Sequence, residues 1–298
     1  MHNVFSVVVV FFPEISNLNN LIVSLEKQSS GVIIINNGSE SSIKALHLED
    51  FENIHLINLG ENLGIAAAQN IGIKQSLTLG ATDVILFDQD SIISHDLVNN
   101  LLVARSRALK KGIDVAAIGP NHIDIDTKTG AKFVSTDSKG VKLFSLDNST
   151  EPYKECDFLI ASGCLISTDA FARVGSMEES LFIDCVDIEW GFRAKKMGLI
   201  CICTSKAQME HKIGDAPLKV FGRDLTTHSP LRHYYFYRNL YSLLKRPYIP
   251  FCWKLHALVK SSLQAVLFSI FLKPRVQHFQ YILQGVLHGL VDRSGKYE

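Results

Sequence analysis

No C-x-x-C spacing occurs among the six cysteines of this 298-residue chain (Cys156, Cys164, Cys185, Cys201, Cys203 and Cys252), which sets aside the common zinc and dithiol patterns. No G-x-G-x-x-G follows the first apolar run, where Phe12-Pro13-Glu14 stands instead, and no G-x-x-x-x-G-K-[ST] occurs anywhere. Dinucleotide oxidoreductases and P-loop enzymes are excluded on that ground. Internal repeats and low-complexity tracts are absent too. No apolar run reads as a membrane span: residues 4–12 are too short, and residues 253–272 are interrupted by Lys254, His256, Lys260, Ser261, Ser262 and Gln264, the pattern of an interfacial helix. Met1-His2-Asn3-Val4 sets no basic segment ahead of the apolar run, so the expectation is a cytoplasmic location with free, mostly core-filling thiols.

What is present is hydrophobic content, 47%, enough to bury a sizeable core in one or two domains. Residues 4–12 read as a buried strand. A helical stretch follows (Leu18, Leu21, Ile22, Leu25), then the strand Val32-Ile33-Ile34-Ile35 and the turn Asn36-Asn37-Gly38-Ser39. The rhythm repeats through a strand at 54–58, a helix at 65–79 and a strand at 83–87, as in a parallel sheet with crossover helices. After a helix at 95–111, residues 115–168 mix short apolar runs with turn residues, which predicts mixed-direction strands. A helix at 186–197 and a strand at 199–204 precede a helix-rich tail that Pro230 opens. The expected division is an α/β unit over 1–228 and a helical region over 229–298.

Zero net charge conceals an asymmetry: 20 basic and 28 acidic residues precede Arg232, and 10 basic and 2 acidic residues run from Arg232 onward. The tail's cations are interleaved with Leu, Val and Phe, which points to an anionic membrane surface and away from nucleic acid. The alternatives are charges that simply solvate helix faces, or helices that join two copies in a homodimer.

Two acidic clusters carry the chemistry. Leu86-Phe87-Asp88-Gln89-Asp90-Ser91 places two carboxylates at the C-terminal end of a buried strand, the usual ligand edge of an open α/β sheet. Hard oxygen ligands of this kind suit Mg²⁺ or Mn²⁺ on a diphosphate, although the same tripeptide also serves as a solvated turn. Roughly a hundred residues on, Asp184-Cys185-Val186-Asp187-Ile188-Glu189-Trp190 opens a helix. Asp187 is the candidate base toward an attacking hydroxyl and Glu189 its alternative or support; capping and helix-dipole roles are the competing account.

With these residues in view, the chain resembles glycosyltransferase family 2, in particular its bacterial rhamnosyltransferases that use dTDP-L-rhamnose. The resemblance runs over about residues 4–241. It is carried by Asn36-Asn37-Gly38-Ser39, Asn62-Leu63-Gly64 through Asn70, Phe87-Asp88-Gln89-Asp90-Ser91, Ser162-Gly163-Cys164-Leu165-Ile166 and the run 182–198. Glu210-His211-Lys212-Ile213-Gly214-Asp215 and His228-Ser229-Pro230-Leu231-Arg232-His233-Tyr234-Tyr235 resemble the rhamnosyltransferase branch. The resemblance implies a GT-A fold, a Rossmann-like nucleotide-binding sheet merged with a mixed acceptor-binding region, followed by the helical tail. It implies an inverting, metal-dependent transfer of L-rhamnose to a saccharide, lipid-linked, in O-antigen or other surface polysaccharide assembly at the inner face of the cytoplasmic membrane.

Carried over residue by residue, Asp88 would lie at the donor ribose and phosphate, Asp90 would bind Mg²⁺ or Mn²⁺ with Asp88, and His211 would complete that site. Asp187 would be the base. Asn36 stands where the family usually has Asp toward the nucleoside, and Asn62 and Gly64 would form the adjoining turn. Ser162, Gly163, Cys164 and Trp190 would line the acceptor, and Arg232 and Arg238 would reach the donor diphosphate. A UDP-hexose or UDP-galactofuranose donor is the alternative within the fold, and a non-catalytic nucleotide-binding membrane subunit the alternative outside it.

Overall fold

The N-terminal apolar run folds into β1 (Val4–Val10), buried at every position as a strand covered on both faces must be. The structure, a computed structural model, describes residues 2–46, 48, 51–124, 129–146, 151–211, 218–220, 223–225 and 227–298, and leaves the side chains of 211–226 outside the description. After β1 come α1 (Ile15–Glu26), β2 (Gly31–Asn36), β3 (Ile54–Asn58), α2 (Ile65–Thr78), β4 (Asp83–Asp88), β5 (Ile92–Ile93) and α3 (Leu97–Lys110). The middle of the chain holds β6 (Val115–Asp124), β7 (Lys132–Asp137), β8 (Gly140–Ser145), β9 (Lys154–Cys156), β10 (Cys164–Ser167), α4 (Thr168–Val174) and α5 (Val186–Lys196). It ends with β11 (Ile200–His211), β12 (Leu218–Val220), β13 (Arg223–Leu225), α6 (Pro230–Leu244), α7 (Phe251–Phe271) and α8 (Arg275–Leu290).

The main sheet has the order β3-β2-β1-β4-β10-β6-β11-β5, with β9 paired to β11. Its first four strands are parallel, β10 runs against β4 and β6, and β6 and β11 are parallel again. The parallel half is the part where strands and helices alternate strictly in the sequence. Apolar residues of α1 and α3 cover one face through Leu18, Ile22, Leu97 and Leu101. The other face is covered by α2, α4 and α5 through Ala66, Ile73, Phe171, Trp190 and Phe192. All the strand C-termini that matter below, those of β1, β2, β4, β6 and β11, therefore open on one edge.

Two strand ends differ from the sequence reading. β1 stops at Val10 because Phe12 adopts φ 48 and the Phe11 N–H leaves the ladder to donate to Gln89 Oε1 at 2.7 Å. β11 continues to His211, where alternation predicts an end at Thr204. An irregularity between Thr204 and Gln208 breaks the pattern, after which Gln208 to His211 pair with Asn121 to Asp124.

The tail joins the same core. Leu240, Leu243, Ile249 and Trp253 are buried with the sheet residues, and Trp253 stacks edge-on against Phe158 and Phe192. α8 lies close on α6 at Gly285, where a Cβ would sit 2.5 Å from the Tyr234 carbonyl, so only glycine permits that approach. All six cysteines are free and five are buried, in keeping with core-filling thiols.

Candidate active site

β4 ends at Asp88, level with Val9 of β1, and the chain turns through Gln89 and Asp90 to Ser91. The turn is held from behind by Ser162: its Oγ accepts the Asp88 N–H at 3.2 Å and hydrogen-bonds Ser91 Oγ at 2.7 Å. Gln89 is held by Phe11. The Asp88 side chain is half-buried and Asp90 is exposed. β5, which follows the turn directly, pairs antiparallel with β11, Ile92 opposite Glu210, the residue before His211. The His211 side chain, and with it the expected third ligand, lies outside the described residues. Among the described residues no group of three His, Cys, Asp or Glu gathers that could hold a metal. Two carboxylates nonetheless fit Mg²⁺, which keeps several waters and takes the rest of its oxygens from substrate phosphates.

Asp187 sits on α5 beyond a loop of unusual backbone. Phe182, Asp184 and Cys185 have φ of 62, 68 and 63, a left-handed region that costs a non-glycine residue about 1–2 kcal/mol. Side chains from α6 hold that conformation. Asn239 Nδ2 donates to the carbonyls of Leu181, Ile183 and Asp184 at 2.8, 2.7 and 2.9 Å. Arg232 clamps the Asp184 carboxylate through two bonds of 2.7 and 2.9 Å. Ser229, ahead of Pro230, caps α6 by accepting the Arg232 N–H at 3.3 Å, which places Arg232 on the first turn facing Asp184.

The N-cap of α5 is Cys185, with no side-chain cap, so neither carboxylate serves there. Asp187 Oδ1 accepts the Ile188 N–H at 2.9 Å. Burial pushes the Asp187 carboxyl up to about 6; the Ile188 N–H opposes the shift, and the Asp184 and Asp88 carboxylates add to it. The influence of Asp88 puts the two acidic clusters within electrostatic reach of each other. A narrow cavity beside Asp187 is lined by Leu86, Cys164, Trp190 and Gly191.

The remaining candidates fall around this centre or support it. Asn36 is fully buried: its Nδ2 donates to the Ser39 carbonyl and to Asn58 Oδ1, and its Oδ1 accepts from the Gly38 N–H. It shapes the loop after β2 from inside. Asn62 Oδ1 accepts the Gly64 N–H at 2.9 Å, and Gly64, at φ 89, leaves no room for a Cβ, which would lie 2.6 Å from the Phe182 carbonyl oxygen. The Ile65 N–H donates to that carbonyl at 2.7 Å, so the Asn62 turn and the loop bearing Asp184 are locked together. Gly163 N–H donates to the Leu86 carbonyl at 2.7 Å. Cys164 is buried, and burial holds its thiol well above the usual range, which leaves it inert. Trp190 lines the cavity with its ring and donates Nε1–H to the Gly175 carbonyl at 2.9 Å.

Glu189 and Arg238 take supporting places. Glu189 is buried, paired with Arg193 at 2.9 and 2.8 Å, and accepts the Tyr248 hydroxyl at 2.5 Å. Arg238, 1% exposed, gives its guanidinium to the carbonyls of Leu181 and Gly295 and lies over the Tyr234 and Tyr235 rings.

Several site-building residues escape the sequence reading. Asn37 donates to Asn62 Oδ1 and accepts the Leu63 N–H, tying the turn after β2 to the turn before α2; its signal is the turn motif that also contains Asn36. Phe11 and Phe12 are exposed side by side at the end of β1, next to Gly38 and Gln89, where the apolar run disguised them as strand. Asn239 has no signal at all, being one polar residue in a helical segment dominated by tyrosines.

Glycosyl transferase family 2 matches residues 6–175 by its family model. The dTDP-rhamnosyl transferase RfbF of Shigella flexneri is 34% identical over 299 residues, spanning 99% of this chain and 98% of its own. Among solved structures, S. aureus TarS 1-349 in complex with UDP-GlcNAc is similar at TM-score 0.57 and 15% identity, covering 96% of this chain and 82% of that one. GalNAc-T7 with UDP, GalNAc and Mn²⁺ is similar at TM-score 0.58 and 13% identity, covering 83% of this chain and 53% of that one. Those two structures speak to the fold alone.

Proposed function

This chain belongs to glycosyl transferase family 2 and has the GT-A fold, and from that premise we propose that it transfers L-rhamnose from dTDP-L-rhamnose to a saccharide acceptor. The acceptor we assign is lipid-linked, in assembly of a surface polysaccharide such as O-antigen. The observation that carries the reading is the placement of Asp187 on a cavity shared with Leu86 of β4, the strand that runs into the Asp88 turn, where burial raises its carboxyl to about 6. A base in that range is ionised near neutral pH yet still attracts a proton. The donor sugar rests on likeness to RfbF over nearly the whole chain.

In this reading the acceptor hydroxyl gives its proton to Asp187 while its oxygen bonds the anomeric carbon. The bond from that carbon to the diphosphate oxygen breaks, and dTDP leaves with the electron pair. One displacement inverts the configuration and needs no covalent enzyme intermediate, which agrees with the inert setting of Cys164. Asp88 and Asp90 would hold Mg²⁺ or Mn²⁺, and the Mn²⁺ of GalNAc-T7 supports a divalent ion in this fold. The ion, when bound, supplies charge neutralisation to the departing diphosphate. The loops shaped by Asn36, Asn37, Asn62 and Gly64 would frame the nucleoside, and Ser162, Gly163, Cys164 and Trp190 would back the acceptor. Arg232 and Arg238 would act mainly by holding the loop that presents Asp187.

A donor screen reading released dTDP against released UDP tests the assignment. Turnover of dTDP-L-rhamnose, abolished by EDTA and restored by Mg²⁺ or Mn²⁺, is expected. Turnover of a UDP-sugar with none of dTDP-L-rhamnose would overturn it.

A further inference from the structure

Among the described residues no helix is long and apolar enough to cross a membrane, yet α7 and α8 turn an apolar face outward. On α7, Phe251, Leu255, Val259, Leu263, Val266 and Ile270 are 50–78% exposed. At 3.6 residues per turn these six fall within an arc of about 120°. The opposite side of the same helix is the buried one, carrying Trp253, Ser261 and Phe268. α8 repeats the arrangement: Val276, Phe279, Leu283, Leu287 and Leu290 are exposed along one narrower arc, while His278, Ile282, Gly285 and Gly289 face inward. Scattered apolar residues on a surface need no explanation, but two continuous stripes on adjoining helices do.

Charge identifies the occupant. Neither helix contains an Asp or a Glu, whereas three cations are exposed: Lys260 on the flank of α7 about 60° beyond its apolar arc, Lys273 in the turn between the helices and Arg275 at the first position of α8. A second copy of this face would add further cations and apolar residues, with no acid on either helix to answer the charge. An anionic lipid surface answers them directly, and a lysine on the flank of an apolar arc or in the turn beside it can lay its stem along the apolar surface while the ammonium stays at the headgroups. We propose that α7 and α8 lie flat on an anionic lipid bilayer, their exposed apolar arcs in the acyl boundary and Lys260, Lys273 and Arg275 at the headgroups. Such a surface would bring the site to lipid-linked acceptors, but the inference stands on these helices alone. A failed donor screen leaves it intact, and failed docking leaves the donor assignment intact.

The test is flotation of the full-length protein with vesicles of phosphatidylethanolamine containing about one-third phosphatidylglycerol, against vesicles of phosphatidylcholine alone. Flotation with the first and not the second is expected. The combined variant Leu255→Gln, Val259→Gln, Leu263→Gln changes only exposed side chains, so its melting curve should match wild type while its bound fraction falls at least about tenfold. Lys260→Glu with Lys273→Glu should weaken binding to the anionic vesicles as well. Wild-type protein that stays with the soluble fraction would overturn the proposal, as would either variant floating like wild type. A wild-type dimer that the glutamine variant converts to monomer, without vesicle binding, would overturn it in favour of a second copy.

Discussion

Asp187 is placed where its own ionisation is unfavourable, and both activity and stability should report it. Its carboxyl is raised from 3.8 to about 6, so the folded protein holds a proton there that the unfolded chain releases earlier. Its contribution to stability is therefore fully present below about pH 4 and lost as pH rises through about 6. Asp187→Asn, permanently neutral, should be more stable than wild type by about 1–3 kcal/mol at neutral pH, with the gap closing in acid. The same substitution removes the proposed base: kcat should fall by about 10²–10⁴ while donor affinity, read by calorimetry, is largely unchanged. Thermal melts across pH and steady-state rates check the two halves; a less stable variant at neutral pH, or one with wild-type kcat, would remove Asp187 from this role.

With Asp187 as the proposed base, the wild-type rate should rise with pH and level off above about 6, because only the ionised carboxylate can take the proton. Arg232 sets where that limb falls. Its guanidinium neutralises Asp184, and the Asp184 charge is one of the influences that raise Asp187. Arg232→Gln should expose Asp187 to the full Asp184 charge and move the acid limb of kcat upward by about half a unit to one unit. A merely structural role for Arg232 would lower the rate without moving the limb.

The helix α6 acts on the site as a unit through the loop it holds. Three backbone carbonyls converge on one amide group, that of Asn239, in a stretch where three non-glycine residues have positive φ. Asn239→Leu keeps the branched shape and removes the donor, taking the Asn239 hydrogen bond from the buried Ile183 and Asp184 carbonyls, while the Leu181 carbonyl keeps Arg238 and the Ile183 N–H. A loss of about 2–4 kcal/mol in urea unfolding is expected, together with a fall in kcat larger than any rise in the donor KM. Equal loss in kcat and donor affinity would mean that the loop serves the nucleotide and not Asp187. Strands and helices of the first half were legible because each has one dominant apolar period, as in the fully buried β1 and the Leu18, Leu21, Ile22, Leu25 face of α1. Asp88, Asp90 and Asp187 were legible for a related reason, since acids at the ends of apolar elements stand out. The Phe182 to Cys185 backbone, the Asn239 anchor and the pairing of β5 with β11 were not, because each depends on a partner far along the chain that no local period encodes.

At the scale of the molecule, the boundary expected at 228/229 separates segments of different composition and charge, but packing runs across it. Leu240, Leu243, Ile249 and Trp253 lie in one core with β4, β10 and α5, and the Tyr248 hydroxyl reaches the buried Glu189 carboxylate at 2.5 Å. Burial, and then that carboxylate, hold the Tyr248 phenol well above its usual range, so it remains a donor to Glu189 throughout the working pH range. Removing residues 229–298 would thus expose the α5 side of the sheet, strip the Glu189–Arg193 pair of its third member and free the 181–184 segment from Asn239, Arg232 and Arg238. A chain ending at residue 228 should be poorly soluble and without transfer activity even toward a soluble acceptor. Ending the chain at residue 273 instead keeps α6 and α7 but removes α8, whose Gly285 backs directly onto Tyr234. That shorter cut should retain part of the secondary structure by circular dichroism, yet lose cooperativity on melting, because α6 then positions Asn239 with one face uncovered. Full activity from the 228-residue chain would show that the tail only anchors the enzyme, whereas activity that disappears with α8 alone would show that it also sets the geometry of the site.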